Sequence, residues 1–358
     1  MKKYLNQQDM KDINTSGVLR LIRRAGPITR RQIEAAIDLS WGAVSNATAL
    51  LLREGYIKEV PVAATGAGRT PIALEADRER HLLLGLDVNR SGLVGVITDL
   101  TGTVVRRLER EPSAAEREEW IAEISELIGE LLRLAAGRHV LAVGIAMQGA
   151  VDSTNGIAAT FPAKNWVDVP LAALLAERFS LPVYLEHDPD CILYAASAQR
   201  DLRDAILLRV DKGIGMAVMM DGKIFKRFGA FEVGEMPVGD NRLADIATLT
   251  GAAARGQCTF DELICAAKRG EKTPVSVLNE AGEALGIAMD TLAGIFHIRD
   301  FLLCGRLTDH RALFEDSMQK AADRFATRPP LHVDYTRVEL AAVGAAMLAI
   351  ERHELHFD

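Results

Sequence analysis

The chain has 358 residues, a formal net charge of −7, and 49% hydrophobic and 25% charged residues. These values suit a soluble globular protein of two or three domains, at roughly 150 residues each. No apolar run approaches the ~18 residues of a membrane span, and Met1-Lys2-Lys3-Tyr4 opens no apolar signal segment. The four cysteines (Cys191, Cys258, Cys265, Cys304) have neither metal-type nor disulfide-type spacing, so a reduced, cytoplasmic setting is expected. Charge is unevenly spread. Residues 1–74 hold 11 Lys/Arg against 6 Asp/Glu, a net +5, and the remainder holds 31 against 43, a net −12. A basic head on an acidic body attracts phosphate at one end only.

In the head, Val18, Leu21 and Ile22 follow helical spacing and predict a short amphipathic helix over 15–24, stopped by Gly26-Pro27. Thr29-Arg30-Arg31-Gln32 reads as a capping box opening a second helix with an Ile33, Ala36, Ile37 stripe. Asp38-Leu39 is a tight turn. Ser40 caps a third helix in which Val44, Ala47, Thr48 and Leu51 face inward, and Gly55 ends it. Three short helices with a tight turn before the third are helix-turn-helix organisation. Tyr56–Val60 and Pro71–Leu74 alternate as two strands, with a glycine-containing wing loop between them. The candidate DNA-contacting residues are Arg30 and Arg31 beside the phosphates and Ser40, Trp41, Ser45, Asn46 and Arg53 on or flanking helix three. Arg69 at the wing would enter a minor groove. A three-helix interaction module is the plainer reading of the same caps and stripes.

The body predicts strands at Leu82–Asp87, Leu93–Thr98 and Val104–Arg110, a helix over about 114–136, strand Leu141–Ala146, helix Pro170–Phe179, strand Pro182–Glu186 and a helix after Pro189. The pattern recurs. Strands are expected near 205–209, 215–220 and 223–227, helices to about 296, strand Phe301–Cys304, helix 310–326, a strand near 332 and a last helix over 340–352. A duplicated α/β unit implies two lobes with a cleft suited to a small ligand. Domain boundaries are expected at 1–75, 80–190 (completed by the C-terminal helix, 340–358) and 191–339.

At these residues the chain resembles the ROK family of repressors, open reading frames and kinases, in its transcriptional-regulator branch. The resemblance is carried by Gly68-Arg69-Thr70-Pro71, Gly144-Ile145-Ala146 with Gly149, Asn165-Trp166-Val167-Asp168-Val169-Pro170-Leu171 and Leu185-Glu186-His187-Asp188. It continues through Lys212-Gly213-Ile214-Gly215, Glu232-Val233-Gly234-Glu235 and Gly344-Ala345-Ala346. Each match is weak alone; their order and spacing carry the assignment. It implies an α/β fold, a winged helix-turn-helix followed by a two-lobed actin-like, ribonuclease H-like sugar-kinase body. It also implies a sugar site of Asn165, His187, Asp188, Glu232 and Glu235, groups whose carboxylates and amides match hydroxyls.

The departures from the family pattern bear on activity. The kinases of the family carry Asp-x-Gly-Gly-Thr in the first hairpin, where glycines let backbone N–H groups approach phosphate. This chain has Asp87-Val88-Asn89-Arg90-Ser91, and the later adenosine segment is reduced to Cys304-Gly305-Arg306-Leu307. Asp188 holds the position of the kinases' general base, here a vestige that would accept sugar hydroxyls. Glu235 replaces the zinc-motif histidine and no cysteine lies between 192 and 257, so no metal and no cofactor are expected. Cys258 and Cys265 are expected to be buried apolar residues.

The expected protein is therefore a non-enzymatic, sugar-responsive repressor of carbohydrate metabolism. Its expected partners are double-stranded operator DNA, a sugar or sugar phosphate, and further copies of itself in a homodimer or tetramer, with no membrane. Two readings stay open: an ATP-dependent sugar kinase with a DNA-binding head, and a regulator whose body is only a dimerisation or docking scaffold.

Overall fold

The computed structural model describes residues 7–61, 72–89, 91–111, 116–161, 166–226, 231–324 and 329–355. Helix α1 (Gln7–Ala25) starts eight residues before the expected position, because Gln8 and Asp12 are paired along its first turns and Thr15 back-bonds to Lys11. Its buried stripe is Val18, Leu19 and Ile22; Leu21 is only half-buried. Gly26 ends it with its N–H on the Ile22 carbonyl. Helix α2 (Arg30–Ala36) opens with the capping box formed by Thr29 and Gln32, and it buries Ile33 while Ala36 is exposed. Helix α3 (Trp41–Glu54) is capped by Ser40 and closed by Gly55 at φ 74°, a conformation that suits glycine. Strands β1 (Ile57–Pro61) and β2 (Ile72–Ala76) pair antiparallel, and Ile28 bridges to Leu74 through both of its backbone groups.

Next come β3 (His81–Asn89), β4 (Gly92–Thr98) and β5 (Val104–Arg110), an antiparallel meander, then α4 (Arg117–Leu134) and β6 (His139–Met147), parallel to β3. The segments β7 (Val151–Asp152), β8 (Ile157–Phe161) and β9 (Trp166–Val169) follow, with β8 and β9 forming a hairpin that the sequence pattern did not announce. Then come α5 (Leu171–Phe179), β10 (Val183–His187) and α6 (Asp188–Arg200). The second half has β11 (Ala205–Val210), β12 (Ile214–Met220), β13 (Lys223–Ile224), β14 (Pro237–Val238) and β15 (Asn241–Arg242). It continues with α7 (Leu243–Ala247), α8 (Leu249–Gly256), α9 (Phe260–Lys268), α10 (Lys272–Phe296) and β16 (Asp300–Cys304), then α11 (Glu315–Ala322), β17 (His332–Tyr335) and α12 (Leu340–Arg352). The single helix expected over 310–326 is instead a 3-10 turn over Thr308–Leu313 followed by α11, because His310 leaves helical geometry.

The duplication is visible in the sheets. One runs β5-β4-β3-β6-β10 and the other β13-β12-β11-β16-β17, each a meander extended by strands that follow helices. Strand β3 is buried along nearly its whole length, as expected for a central strand flanked on both faces. The chain divides into two compact units. The first comprises Met1–Gln148, Ser153–Glu186 and Ala345–Asp358, and the second Gly149–Asp152 and His187–Gly344. The head therefore belongs to the same unit as the first sheet. Val18, Ile22, Leu51 and Leu74 share one core with Leu83, Leu100, Leu141, Ala346 and Ile350. The boundary residues near 77 are held rather than loose. Asp77 N–H donates to the Tyr56 carbonyl, and its carboxylate accepts from the Glu79 and Arg80 amides. Cys191 and Cys304 are buried, but Cys258 is half-buried and Cys265 exposed, contrary to expectation, since Cys265 lies on the outer face of α9. No described helix is long and apolar enough to cross a membrane.

A histidine pair lies at the junction of head and first sheet. His81 stacks on Tyr56 (centroids 4.1 Å apart, planes within 7°), its Nε2 lies 3.1 Å from the Glu54 carbonyl, and its Nδ1 lies 3.2 Å from His139 Nδ1. The neutral tautomer with Nε2–H satisfies Glu54 and leaves Nδ1 to accept from His139. Burial, first, and then the neighbouring His139 and Arg80 push the His81 imidazole below its ordinary value, against the opposing pull of the Glu54 carbonyl and Asp77. The unfolded chain takes this proton near pH ~6.5 while the folded chain resists it, so this stabilisation is complete above that pH and is lost as pH falls. The melting temperature should drop between pH 7 and 5, and His81→Phe, which keeps the stack without titrating, should flatten the slope. His310, also held low by burial, would keep the slope from vanishing. An unchanged slope in the variant would show that the junction does not set acid stability.

Candidate DNA-reading face and candidate sugar site

Helix α3 buries Val44, Ala47, Thr48, Leu50 and Leu51 and leaves Trp41, Gly42, Asn46, Ala49 and Arg53 exposed, with Ser45 half-buried. The outward face thus carries a large apolar group at its start, small residues along it and an amide at its centre. No acidic residue stands in its first turn, so the positive end of the helix dipole is not offset there. Ser40 accepts from the Ala43 amide as the cap, which is its structural task. Trp41 is 48% exposed, high for tryptophan.

The two arginines opening α2 differ. Arg30 donates through Nε to Thr48 Oγ1 (3.0 Å) and through Nη2 to Glu59 (3.1 Å), linking α2, α3 and β1. Arg31 is exposed. Arg53 pairs with Glu54 at 2.8 Å. Arg69 lies outside the described residues.

Four of the five candidate sugar residues are described; Asn165 is not. Of the segment that follows it, Trp166 is buried against Phe161 and Val167 is exposed. A surface hollow of about 340 Å³ lies beside Val167, Asp168 and Pro170, and none of the four described candidates lines it. His187 ends β10 and Asp188 begins α6, with His187 Nε2 3.7 Å from the Asp188 carboxylate. Asp188 is buried, and its carboxylate accepts from Arg209 Nη1. Arg209 Nε in turn donates to Asp211 at 2.9 Å, and the Arg306 amide donates to the other Asp211 oxygen at 2.8 Å. Gly305, at φ 105°, lies so close to the Val210 carbonyl that any side chain there would overlap it. The Cys304-Gly305-Arg306 stretch is thereby fixed on Asp211. Glu232 precedes a 3-10 turn over Val233–Glu235 that Glu235 ends, and both are exposed; Glu235 pairs with Arg242 at 3.2 Å, and Arg242 also holds Asp245 at 2.8 Å. Among the described residues no group of three or more His, Cys, Asp or Glu is placed to hold a metal ion.

In the first hairpin, the Ser91 N–H donates to Asn89 Oδ1 (2.8 Å) and the Asn89 amide donates to Asp87 (2.9 Å). An N–H of the kind that cradles phosphate in glycine loops is turned onto a side chain of the loop itself. Arg90 lies outside the described residues.

The ROK family model matches residues 83–352. The chain belongs to the ROK family. It is 23% identical over 359 residues to the xylose repressor of Caldicellulosiruptor bescii, covering 89% of each chain. It is 25% identical over 339 residues to the DNA-binding transcriptional dual regulator NagC of Escherichia coli K12, covering 84% of this chain and 82% of that one. Among solved structures, a ROK family transcriptional regulator described as a homolog of the E. coli MLC protein superposes with a TM-score of 0.81 at 19% identity, over 95% of this chain and 96% of that one. A ROK glucokinase from Streptomyces griseus, in complex with glucose and AMPPNP, superposes with a TM-score of 0.64 at 20% identity, over 75% of this chain and 99% of its own. The fold is accordingly the mixed α/β, kinase-like body of ROK proteins behind a winged helix-turn-helix head.

Sequence reasoning missed Arg209, Asp211 and Arg242. A signal existed for the first: an arginine inside the apolar run Ala205-Ile206-Leu207-Leu208-Arg209-Val210 needs a buried partner. Arg30 and Arg31, paired in the sequence reading, differ in their contacts, and a stability measurement should distinguish them. Arg30→Ala removes two side-chain partners and should lower stability by about 0.5–1.5 kcal/mol, whereas Arg31→Ala should leave it within about 0.5 kcal/mol. Urea denaturation of both variants checks this, and equal losses would contradict the different roles.

Proposed function

We propose that this ROK protein is a DNA-binding transcriptional regulator of carbohydrate metabolism, acting as a repressor, whose operator binding is modulated by a sugar. The observation that carries the reading is the extent of the structural match. The ROK transcriptional regulator is matched along 95% of the chain, whereas the glucokinase accounts for 75% of it and has almost nothing of its own left over. The portion in excess of a kinase is of the size of the head, and the outward face of its α3 carries Asn46 and Arg53 beside Trp41. The likeness to a xylose repressor and to NagC supports a sugar effector and duplex DNA as ligands. Asn46 and Ser45 would read base edges, Trp41 would make apolar contact with thymine methyls, and Arg31 would meet phosphate. A homodimer presenting two α3 helices about one DNA turn (~34 Å) apart would read a pseudo-palindrome.

His187, Asp188, Glu232 and Glu235, with Asn165, would accept and donate hydrogen bonds to sugar hydroxyls. Three features argue against phosphoryl transfer. Asn89 takes up the Ser91 N–H, Arg209 engages the carboxylate at the base position, and the Arg306 segment is tied to Asp211.

Selection of genomic duplex fragments by the purified full chain, followed by affinity titration at several salt concentrations, tests the reading. Asn46→Ala should lose about 1–3 kcal/mol of discrimination between operator and random duplex, and Arg31→Ala should weaken both alike. A chain that enriches no fragment over random duplex is not a repressor. Coupled ADP release over a panel of monosaccharides should stay at background, and sustained turnover abolished by Asp188→Asn would establish the kinase instead.

A further inference from the structure

We propose that the imidazole pair of His81 and His139 makes operator binding acid-sensitive: it seats the end of α3 on the first sheet, and a second proton on the pair unseats it. The inference rests on the DNA-reading role proposed for α3 and specifies one control on it. Glu54, the last residue of α3, presents its carbonyl to His81 Nε2 at 3.1 Å. Gly55 turns the chain, with the Arg80 side chain so close that any side chain on this glycine would overlap it. Tyr56 then stacks on His81, and its carbonyl accepts from the Asp77 N–H. His81 opens β3 and His139 opens β6, and their Nδ1 atoms lie 3.2 Å apart. The helix that presents Trp41, Asn46 and Arg53 outward is thus anchored at its C-terminal end beside two imidazoles. Residues 1–75 contain no histidine, so the head brings no imidazole of its own.

The Glu54 carbonyl can only accept, so His81 Nε2 carries a hydrogen in every state of the seat. Between the two Nδ1 atoms the neutral pair needs one more, supplied by His139. A single added proton is tolerated, because whichever ring holds it, the other still offers a lone pair across the contact. A second is not. Both Nδ1 atoms then carry hydrogen and face each other across 3.2 Å, as two cations with Arg80 beside them. From α3, the Glu54 carboxylate, itself paired with Arg53, stands beside Tyr56. The other charged groups that bear on His81 are Asp77 and Arg80 from the turn before β3 and His139 from β6. Burial above all, then His139 and Arg80, hold the His81 ring below its ordinary value against the Glu54 carbonyl and Asp77. The break therefore falls on the acid side of an ordinary imidazole, ~6.5. Attraction to DNA alone predicts the reverse sign, since added cations near the head strengthen binding to any duplex.

Fluorescence anisotropy of the full chain on a duplex recovered by the genomic selection above tests this. Titrations run at constant ionic strength from about pH 7.5 to the lowest pH at which circular dichroism shows the chain folded. Operator affinity should fall about fivefold or more toward acid, the lower end of a usual coupling range, and affinity for random duplex should not fall with it. His81→Phe, which keeps the stack without titrating, should flatten the fall. His139→Gln should flatten it as well, since its amide can turn its oxygen toward a protonated His81. Operator affinity that is level or rises toward acid would overturn the proposal while leaving the DNA-reading role intact, and so would a fall that persists in either folded variant. A chain that selects no duplex at about pH 7.5 would overturn both.

Discussion

Glu351 near the end of α12 holds Arg20 and Arg23 of α1, and Arg23 also donates to the Leu100 carbonyl. Arg23 is only 6% exposed on its side chain. Removing its carboxylate would leave a largely buried guanidinium short of a partner, a loss of about 1.5–3 kcal/mol for a charged hydrogen bond. Beneath this clasp the head and the first sheet share one apolar core. A tethered head could rotate freely and would pass no message to DNA. Here α12 contributes Ala346, Ala349 and Ile350 to the core that the head shares with the first sheet.

Helix α12 runs from Leu340 to Arg352, and its residues through Gly344 belong to one compact unit while those from Ala345 belong to the other. Gly344 is packed so closely on the Cys191 carbonyl, and Gly144 on the Ala345 carbonyl, that a side chain at either glycine would overlap backbone. Arg352, past Glu351, donates to Glu186 and to the Ser153 carbonyl and lies over the Tyr184 ring. Its far end is therefore fixed to the end of β10, one residue before His187-Asp188. Differential affinity for two arrangements of that element is all that coupling requires.

Much of this was legible in the sequence. The capping box at Thr29, the Ser40 cap and Gly55 gave the helix-turn-helix because local side-chain chemistry sets those boundaries. Val104–Arg110 and the 340–352 helix were readable because their patterns are unbroken. What was not legible depends on partners distant in sequence. Arg30 was read as a phosphate contact from its place opening α2, and its engagement by Thr48 and Glu59, across 18 and 29 residues, could not be read from the sequence. The Asp188–Arg209 pair spans 21 residues and joins two elements whose periodicity says nothing of it. The β8–β9 hairpin hid because its strands are short and its first residues alternate weakly. Cys265 was misjudged because burial of a cysteine follows from which helix face it occupies, and that face was fixed by Leu263, Ile264 and Ala267.

These elements describe one device: a basic reading head fused to a kinase-like body, whose base-position aspartate is engaged by an arginine and whose C-terminal helix joins body to head. Operator affinity measured by fluorescence anisotropy, with and without a sugar that calorimetry has shown to bind, tests it most directly. The account predicts a change of about 5- to 150-fold in the wild-type chain. It also predicts that Glu351→Ala will still bind the sugar but lose most of that change. A sugar that binds tightly at Asp188 and leaves operator affinity where it was would contradict the account.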